Sequence, residues 1–550
     1  MDGRMRVEQM RAQTLHAYSQ INGGRNGSGA FSGGDLASRA GGTDTIFRGV
    51  TVSDGPSRLD ADLAAAAIAA QPPRPIGILP QILRAVDILL GYYSQISMAP
   101  TKAARGGYLF FHGIASAYSW CTASVAVSGV KGGWDWDRKT PLDAEADQAV
   151  FITQCAHIVL SGIVPSYSPD VLNGGLTPQQ RASIDSIKQR GAFESWAAAW
   201  AQWWTARGQD GSIAASAPPA TSVYPNGSTR LEVSQQQDFT DSTAYPNPAS
   251  WTPLAINGTF KPWLTRSWNS VQSTDLSADQ EDSVKRAAAV WKLSSSSSER
   301  EAELNTLYML SQSLTDTQKV TAEFWAGGPS TPSPPGIALW IWRVAMEAIQ
   351  PGTYAAIYSG LELAISLFEA SRLIWGLKTQ YTEARPIQEI RRIYANQTAI
   401  RYDGASISTA LWVPFQMPNF VTPPFPDFPS GHSGFSQTLA NVMTRWFGAD
   451  VPSQTITVNN ADTVAPLLPA TIDTSLRSFT VSTGASEIQP GLVPAAPVVL
   501  EFPTWQSMAE SAGVSRQYGG IHCISAHKGG QEVANTLYPI LQDVWGILKQ

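Results

Sequence analysis

Apolar residues recur at helical spacing over most of this chain, and that periodicity constrains the fold more than any other feature. The pattern runs from about residue 75 to 205, and one stretch of it is Ile82, Leu83, Val86, Leu89 and Leu90. It returns between about 300 and 385, and again from Phe435 to Phe447. The spacing predicts a mainly α protein in which each helix buries one apolar face.

Strands are predicted only late in the chain, in a small β insertion at about residues 454–502. Its three apolar pieces are Gln454–Val458, Arg477–Val481 and Val498–Phe502, and turn residues separate them. Residues 211–275 are rich in Pro, Ser, Thr and Asn with little periodicity, so we expect a long loop excursion over the surface.

These patterns divide the 550 residues into three parts. Residues 1–74 are expected to form an N-terminal arm, because the stretch at 21–57 is rich in Gly, Ser and Asp. Residues 75–317 are expected to form a helical bundle with the long excursion, and residues 318–550 a second bundle. We therefore predict two packed helix bundles with long surface loops.

Composition restricts the partners and the location. Charged residues make up 15% of the chain and the net charge is −6, which argues against nucleic acid as the main partner. Three cysteines, Cys121, Cys155 and Cys523, are too few for a disulfide framework. The first 20 residues lack the apolar core of a signal peptide, and residues 108–130 fit a buried helix better than a membrane span. We expect no membrane association and, by default, a cytoplasmic protein.

Tryptophan is abundant, with 19 residues in the chain. Trp196, Trp200, Trp203 and Trp204 stripe one face of a predicted helix, a pattern typical of a core or of a subunit contact. Together with the Gly- and Ser-rich arm, the indole-rich helices lead us to expect a homo-oligomer, most simply a two-fold dimer.

Two cations lie seven residues apart near the end of a helical pattern. Lys378 and Arg385 would project from one helix face about 10 Å apart along the axis, if the helix continues through both. Alone, such a pair is more typical of a solvated stripe.

A second segment, Pro429-Ser430-Gly431-His432-Ser433, lies between a Pro-rich loop and an apolar helical pattern. It is therefore predicted at a helix N-terminus, where free N–H groups and the helix dipole attract anions. Ser430 adds a hydroxyl donor, Gly431 allows close approach to its amide, and His432 would project into the same cavity.

The third segment runs from Ser515 to His522. Arg516 and His522 are six residues apart and would not share a face of an unbroken helix. Gly519-Gly520 offers a break that would bring both into one pocket. The alternative is a capping arginine and a separately packed histidine.

In this order, Lys-x6-Arg-Pro, Pro-Ser-Gly-His and Ser-Arg-x5-His resemble the signature of the vanadium-dependent haloperoxidases and type 2 acid phosphatases. The flanking segments Glu323–Pro329 and Phe425–His432 are similar to bacterial haloperoxidases. The resemblance covers roughly residues 320–540, and the first 300 residues match only in their helical character.

The resemblance implies vanadate as the cofactor, with phosphate able to occupy the same site. It makes His522 the single protein ligand of vanadium and His432 the acid–base group, with Lys378 activating hydrogen peroxide. The residues that it assigns to holding the vanadate oxygens are Lys378, Arg385, Ser430, Gly431 and Arg516.

By the same resemblance, a halide and substrate pocket contains Trp375 and Phe425, although both aromatic residues could be core. Ser433 departs from the family, which commonly has Ala at this position, and its hydroxyl could donate to halide or to an organic substrate in that pocket. Residues Cys523 to His527 lack the Trp and Asp often found after the vanadium ligand. The group that orients His522 is therefore left open.

The implied function is that of a vanadate-dependent haloperoxidase. It would use hydrogen peroxide to oxidise bromide, or chloride as the second candidate, to a hypohalous species that halogenates a small organic substrate. Two alternatives remain open: an acid phosphatase that acts on phosphomonoesters through a phosphohistidine at His522, and a non-catalytic helical scaffold.

Overall fold

The structure is a computed structural model, and it describes part of the chain. The described residues are 77–546 without 97–99, 125–126, 166, 216–230, 243, 246, 329–330, 455–469 and 473–474. The predicted arm at 1–74 lies outside them, as does all but the first residue of the predicted strand at 454–458.

Helices dominate the described part of the chain, as the periodicity predicted. The first nine are α1 (Ile78–Ile96), α2 (Pro100–Thr122), α3 (Glu145–Ile163), α4 (Asp170–Asn173), α5 (Pro178–Ala182), α6 (Ile184–Lys188), α7 (Gly191–Arg207), α8 (Ser212–Ala215) and α9 (Ala278–Ala289). The other eight are α10 (Ser298–Ser311), α11 (Asp316–Phe324), α12 (Ser333–Ile349), α13 (Thr353–Tyr381), α14 (Pro386–Ile393), α15 (Gly431–Phe447), α16 (Trp505–Tyr518) and α17 (Ile524–Trp545). Short 3-10 helices span Arg266–Ser270 and Thr409–Leu411.

The long helix α13 lies at the centre of the fold. It packs against α2 and α12 on one side and against α15 and α17 on the other. Most of its 29 residues are buried, as expected for a helix surrounded by other helices. One continuous apolar core runs from α1 to α17, so both helix groups share it. The domain boundary between residues 317 and 318 stays a prediction.

The sheets in the described residues are small. Their strands are β1 (Val130–Lys131), β2 (Trp134–Asp135), β3 (Leu231–Glu232), β4 (Leu254–Ile256), β5 (Thr259–Lys261), β6 (Thr398–Ile400), β7 (Ser406–Ser408), β8 (Ala470–Ile472), β9 (Ser478–Val481) and β10 (Val498–Glu501). Antiparallel pairing joins β8, β9 and β10, with Val498 opposite Val481. These strands form the β insertion between α15 and α16, and the second and third predicted strands are confirmed within one residue.

The excursion after α8 does not simply cross the surface, contrary to our expectation. Trp251, Trp263 and Trp268 are all buried. The Trp268 indole donates a hydrogen bond to Ser371 Oγ on α13 (3.0 Å). Indole rings remove large apolar areas from water, which outweighs the polar composition around them. Part of this segment therefore belongs to the hydrophobic core.

The tryptophan stripe on α7 belongs to the core rather than to an exposed contact surface. Trp196, Trp200 and Trp203 are buried, and Trp204 packs partly buried against the same core. The ring centroids of Trp200 and Trp203 lie 4.7 Å apart. Among the described helices, including α2, none is long and apolar enough to cross a membrane.

Candidate functional site

The three motif segments meet where α13 ends, α15 begins and α16 ends. The expectation that Lys378 and Arg385 share one helix is wrong. Helix α13 ends at Tyr381, and Thr382 has a left-handed backbone (φ 44°). Arg385 has extended φ and ψ and precedes Pro386, the first residue of α14. The physical reason is that proline disfavours helical geometry in the residue before it.

The Arg385 side chain lies against His522. Its Nη1 atom is 3.2 Å from His522 Nε2 and donates to the Ile521 carbonyl (2.8 Å), while its Nε donates to the Phe425 carbonyl (2.7 Å). Its Nη2 is buried and has no hydrogen-bond partner among the described residues. A buried guanidinium donor without a partner is costly, so this position suits an anionic ligand.

Lys378 is completely buried beside the same site. Its ammonium donates to the carbonyls of Pro426 (2.7 Å) and Asp427 (2.9 Å). The Nζ atom also lies 5.2 Å from the centroid of the Phe425 ring, and the Arg385 Cζ lies 5.0 Å from it. Both distances are within the range of cation–π attraction. Phe425 therefore contacts both cations.

Trp375 forms the wall behind Phe425. The two ring centroids lie 5.1 Å apart, and both residues are buried. The Trp375 indole donates to the Leu264 carbonyl (3.2 Å), which comes from the excursion. Sequence reasoning gave Leu264 no role, because only the fold brings that segment to α13. The two predicted pocket aromatics are thus adjacent to each other and to the cations.

Helix α15 begins at the site, as the motif predicted. Ser430 is its N-cap residue and accepts a hydrogen bond from the Ser433 amide (3.4 Å), and Gly431 is the first helical residue. Helix α17 packs closely here: a Cβ atom at Gly530 would lie 2.3 Å from the Ser430 carbonyl oxygen. The positive end of α15 is therefore held at the site, where it favours an anion.

Arg516 and His432 are held by one segment at the end of α11. Arg516 donates to the carbonyls of Ala322 (2.6 Å) and Ala326 (3.4 Å). His432 Nε2 lies 2.9 Å from the Trp325 carbonyl oxygen. Because a carbonyl only accepts, Nε2 carries the proton, and Nδ1 is the ring nitrogen that can take up another.

A break after α16 lets the chain turn from Arg516 to His522. Helix α16 ends at Tyr518, and Gly520 has a positive φ of 69°. A Cβ atom at Gly520 would lie 2.8 Å from Pro414 Cβ, so glycine is required for both conformation and space. The predicted Gly-Gly break is present.

The group that orients His522 is Asp427. His522 Nδ1 is hydrogen-bonded to Asp427 Oδ1. Burial and the nearby charges of Arg385, Lys378 and Arg516 hold the pKa of His522 well below its ordinary value. The ring is therefore neutral and its Nδ1 carries the proton. The lone pair of Nε2 accepts from Arg385 Nη1 (3.2 Å), and it is the lone pair that could bind a metal instead.

Asp427 is itself part of a buried network of carboxylates and cations. Its Oδ2 accepts a hydrogen bond from Arg300 Nη2 (3.3 Å), and Arg300 Nε donates to Glu389 Oε2 (3.1 Å). Glu383 pairs with Lys292 (3.0 Å). Sequence reasoning missed this network. An acidic residue two positions after Phe425 was the only local signal, and nothing nearby indicated partners on α10 and α14.

Burial lowers the pKa of all three cations of the site, and the charge of Arg385 lowers the pKa of the other two further. Burial and then Arg385 hold the pKa of Lys378 well below its ordinary value. Burial lowers the pKa of Arg385 to about 10, and burial with the charge of Arg385 lowers that of Arg516 to about 9. Burial and the neighbouring Arg516 and His522 likewise depress the pKa of His432. An anion among these groups would reverse the effect.

Ser433 does not lie with Trp375 and Phe425. Its side chain is buried between α15, α16 and α17, and its Oγ is 2.8 Å from His527 Nδ1. His527 Nε2 is in turn 3.1 Å from Glu510 Oε1. A carboxylate only accepts, so His527 Nε2 donates to Glu510, while Nδ1 and Ser433 Oγ share the second hydrogen bond of the ring. Sequence reasoning gave His527 no role, since it lies 94 residues from Ser433.

Comparison with known proteins agrees with this geometry. Residues 359–545 match the family described as the VCPO second helical-bundle domain. This part of the chain is similar to that domain. The matched residues include five ionisable side chains that the sequence predicted for the site: Lys378, Arg385, His432, Arg516 and His522. No curated protein matches the sequence.

Similarity to solved structures extends beyond residues 359–545 to most of the chain. An apo-type bacterial vanadium-dependent chloroperoxidase has a TM-score of 0.57 at 14% identity, covering 80% of this chain and 93% of its own. The first bacterial vanadium-dependent iodoperoxidase has a TM-score of 0.56 at 16% identity, with 87% and 99% covered. The fold is that of these enzymes, and the predicted resemblance to vanadium-dependent haloperoxidases is confirmed.

Proposed function

We propose that this protein is a vanadate-dependent haloperoxidase that uses hydrogen peroxide to oxidise bromide, with chloride as the second candidate halide. One observation carries the proposal. Three buried cations, Lys378, Arg385 and Arg516, lie near a neutral histidine, His522, whose Nε2 carries no proton and accepts a hydrogen bond from Arg385. In such a site the cations can hold a negatively charged oxyanion while the histidine forms a single covalent bond to its central atom, which is what vanadate requires.

The residues fit vanadate by their chemistry. The unpartnered Arg385 Nη2 and the other cations would hold its oxygens, with the Ser430 hydroxyl and the Gly431 amide at the start of α15. His522 Nε2 would bind the metal. Bound vanadate supplies a Lewis acid that activates hydrogen peroxide towards attack by halide.

The remaining residues would transfer protons, stabilise negative charge and exclude water. His432 Nδ1 would accept a proton from hydrogen peroxide and return it to the departing oxygen, because burial and the nearby Arg516 hold its pKa low and keep the ring neutral at rest. Lys378 would donate to the developing negative charge on oxygen. Trp375 and Phe425 would exclude water from the halide side of the site.

The comparisons support vanadium dependence and halide oxidation. The structural neighbours are named for chloride and for iodide, so their names do not rank bromide above chloride. Phosphate would fit the same cations, and Asp427 would equally orient His522 for attack on phosphorus. The acid phosphatase is therefore the second candidate.

The deciding experiment adds vanadate to the purified, vanadate-free full-length protein. Bromination of a β-diketone dye should then require vanadate, bromide and hydrogen peroxide together, and excess phosphate should suppress it. His522→Ala should abolish bromination, whereas His157→Gln, a change in α3 outside the site, should not. Hydrolysis of p-nitrophenyl phosphate without any dye bromination would identify the phosphatase instead.

A further inference from the structure

A narrow cleft opens beside His432, between α12, α15 and α16. It leaves about 10 Å³ of room for the centre of a water-sized molecule, and it is partly open to solvent. His432 and Ser436 supply its polar groups, and the apolar part of the lining includes Ile337, Leu439 and Met508. The proposed acid–base residue is thus reached from a small apolar cleft.

Met508 is the sulfur-containing residue of this cleft. It is 2% exposed overall, so its thioether is shielded from bulk solvent while its side chain lines the same space as the His432 ring. A thioether is soft, polarizable and readily oxidised. Trp325, the other oxidisable apolar residue in the lining, has its indole N–H bonded to Ser511 Oγ (3.0 Å).

Cys523 follows His522 directly in the chain, yet it points away from the site. Its side chain packs in a separate apolar cluster with Leu304, Ile387 and Ile390. Burial raises the pKa of its thiol well above the ordinary value, so the reactive thiolate is suppressed. Met508 is therefore the sulfur that the fold presents beside His432.

We propose that Met508 is a self-oxidation site, where hypohalous acid made at the vanadate site is captured as methionine sulfoxide. This inference rests on the proposed function. The sulfur donates two electrons to the halogen and gains the oxygen of the hypohalous acid, while the halogen leaves as halide and one proton is released. The product places a polar sulfoxide in an apolar cleft next to His432, which slows further turnover.

The experiment follows individual methionines by peptide mass spectrometry during turnover. Full-length protein receives vanadate, bromide and hydrogen peroxide with a large excess of free L-methionine, which consumes hypobromous acid in bulk solution. Met309, which is 55% exposed, reports on free oxidant, and the completely buried Met346 reports on unfolding. Met508 should gain oxygen several-fold faster than both, and only when bromide is present.

Two further measurements sharpen the test. Reagent hypobromous acid added to vanadate-free protein should oxidise Met309 before Met508, the reverse of the order under turnover. Met508→Leu keeps the volume and removes the sulfur, so its dye bromination should decay more slowly during turnover, whereas Met309→Leu should decay like the parent.

Three results would overturn the inference while leaving the haloperoxidase intact. All three require that the dye is brominated in a parallel reaction without free methionine, which shows that the enzyme turns over. The first result is that Met508 stays unmodified, and the second is that free methionine protects Met508 as well as Met309. The third is that Met508 is oxidised to the same extent when bromide is left out. Absence of dye bromination would instead remove the proposed function, and this inference with it.

Discussion

The hydrogen bond between His522 Nδ1 and Asp427 decides which nitrogen of His522 faces the three cations of the site. A carboxylate only accepts, so Nδ1 carries the proton and Nε2 keeps its lone pair. Arg300 donates a hydrogen bond to the other carboxylate oxygen of Asp427, Oδ2. The histidine is therefore oriented before any ligand arrives, which favours binding because little ordering remains to be done.

Replacing Asp427 should weaken vanadate binding. In Asp427→Asn the side chain keeps its shape but loses the charge that fixes the His522 tautomer, so the affinity for vanadate should fall about 10–100-fold. Equilibrium titration followed by tryptophan fluorescence measures this. Asp403→Asn, at a carboxylate paired with the half-exposed Arg401, is the matched control. Equal affinities in the two variants would remove Asp427 from this role.

Lys378→Ala should separate binding from chemistry. Arg385, Arg516 and His522 remain to hold vanadate, while one charged donor to the reacting oxygen is lost. Bromination at saturating vanadate should slow by about 10²–10³. The check is to measure kcat and the vanadate Kd independently, with Lys285→Ala on α9 as control. A large loss of affinity with an unchanged kcat would contradict this division of roles.

Ser433→Ala tests whether Ser433 acts on halide or on structure. Its hydroxyl is hydrogen-bonded to the buried His527, so removal leaves a ring nitrogen without its partner, at a cost of about 1–3 kcal/mol in the free energy of unfolding. Urea unfolding measures the loss, and we expect the KM for bromide to stay close to that of the parent. Ser436→Ala, in the His432 cleft, is the companion variant. A raised KM in Ser433→Ala without lost stability would return Ser433 to the predicted halide pocket.

His112 should make stability depend on pH. It stacks on Trp203 with ring centroids 4.2 Å apart, and neither ring nitrogen has a hydrogen-bond partner among the described residues. Burial, and then the charge of Arg207, hold its pKa well below the ordinary value. The unfolded chain therefore binds a proton below about pH 6.5 that the folded chain excludes, so this contribution to stability falls as the pH falls.

The variant His112→Phe removes this pH-dependent contribution to the free energy of unfolding. Its stability relative to the parent should rise by about 1.4 kcal/mol between pH 7.5 and pH 5.5, the value of one pH unit of differential protonation. Urea unfolding of both proteins at the two pH values gives the comparison. A stability difference that does not change with pH would show that His112 titrates alike in both states.

Local chemistry made part of the site predictable. The Pro-rich loop followed by an apolar helical pattern placed the segment around Ser430 at a helix N-terminus, and Gly519-Gly520 marked the turn between Arg516 and His522. These features depend on backbone preferences that neighbouring residues set.

Contacts across long stretches of chain were not predictable in the same way. Asp427 and His522 lie 95 residues apart, and Trp375 and Leu264 lie 111 apart. Such pairs depend on how helices and loops pack, which a single sequence does not encode locally. The end of α13 before Arg385 is different, since Pro386 was visible and should have outweighed the helical spacing.

The close contact between α15 and α17 has a consequence for how the protein opens. The Ser430 amide donates to the Ala526 carbonyl (2.8 Å), and Gly530 lets the α17 backbone lie directly against the Ser430 carbonyl. Neither helix can move away without breaking this hydrogen bond and the backbone contact between them. Amide hydrogens at the start of α15 should therefore exchange with deuterated water only when much of the domain unfolds. The start of α15, with His432, would then be among the slowest-exchanging parts of the described chain, unlike the mobile loops on which many active sites are built.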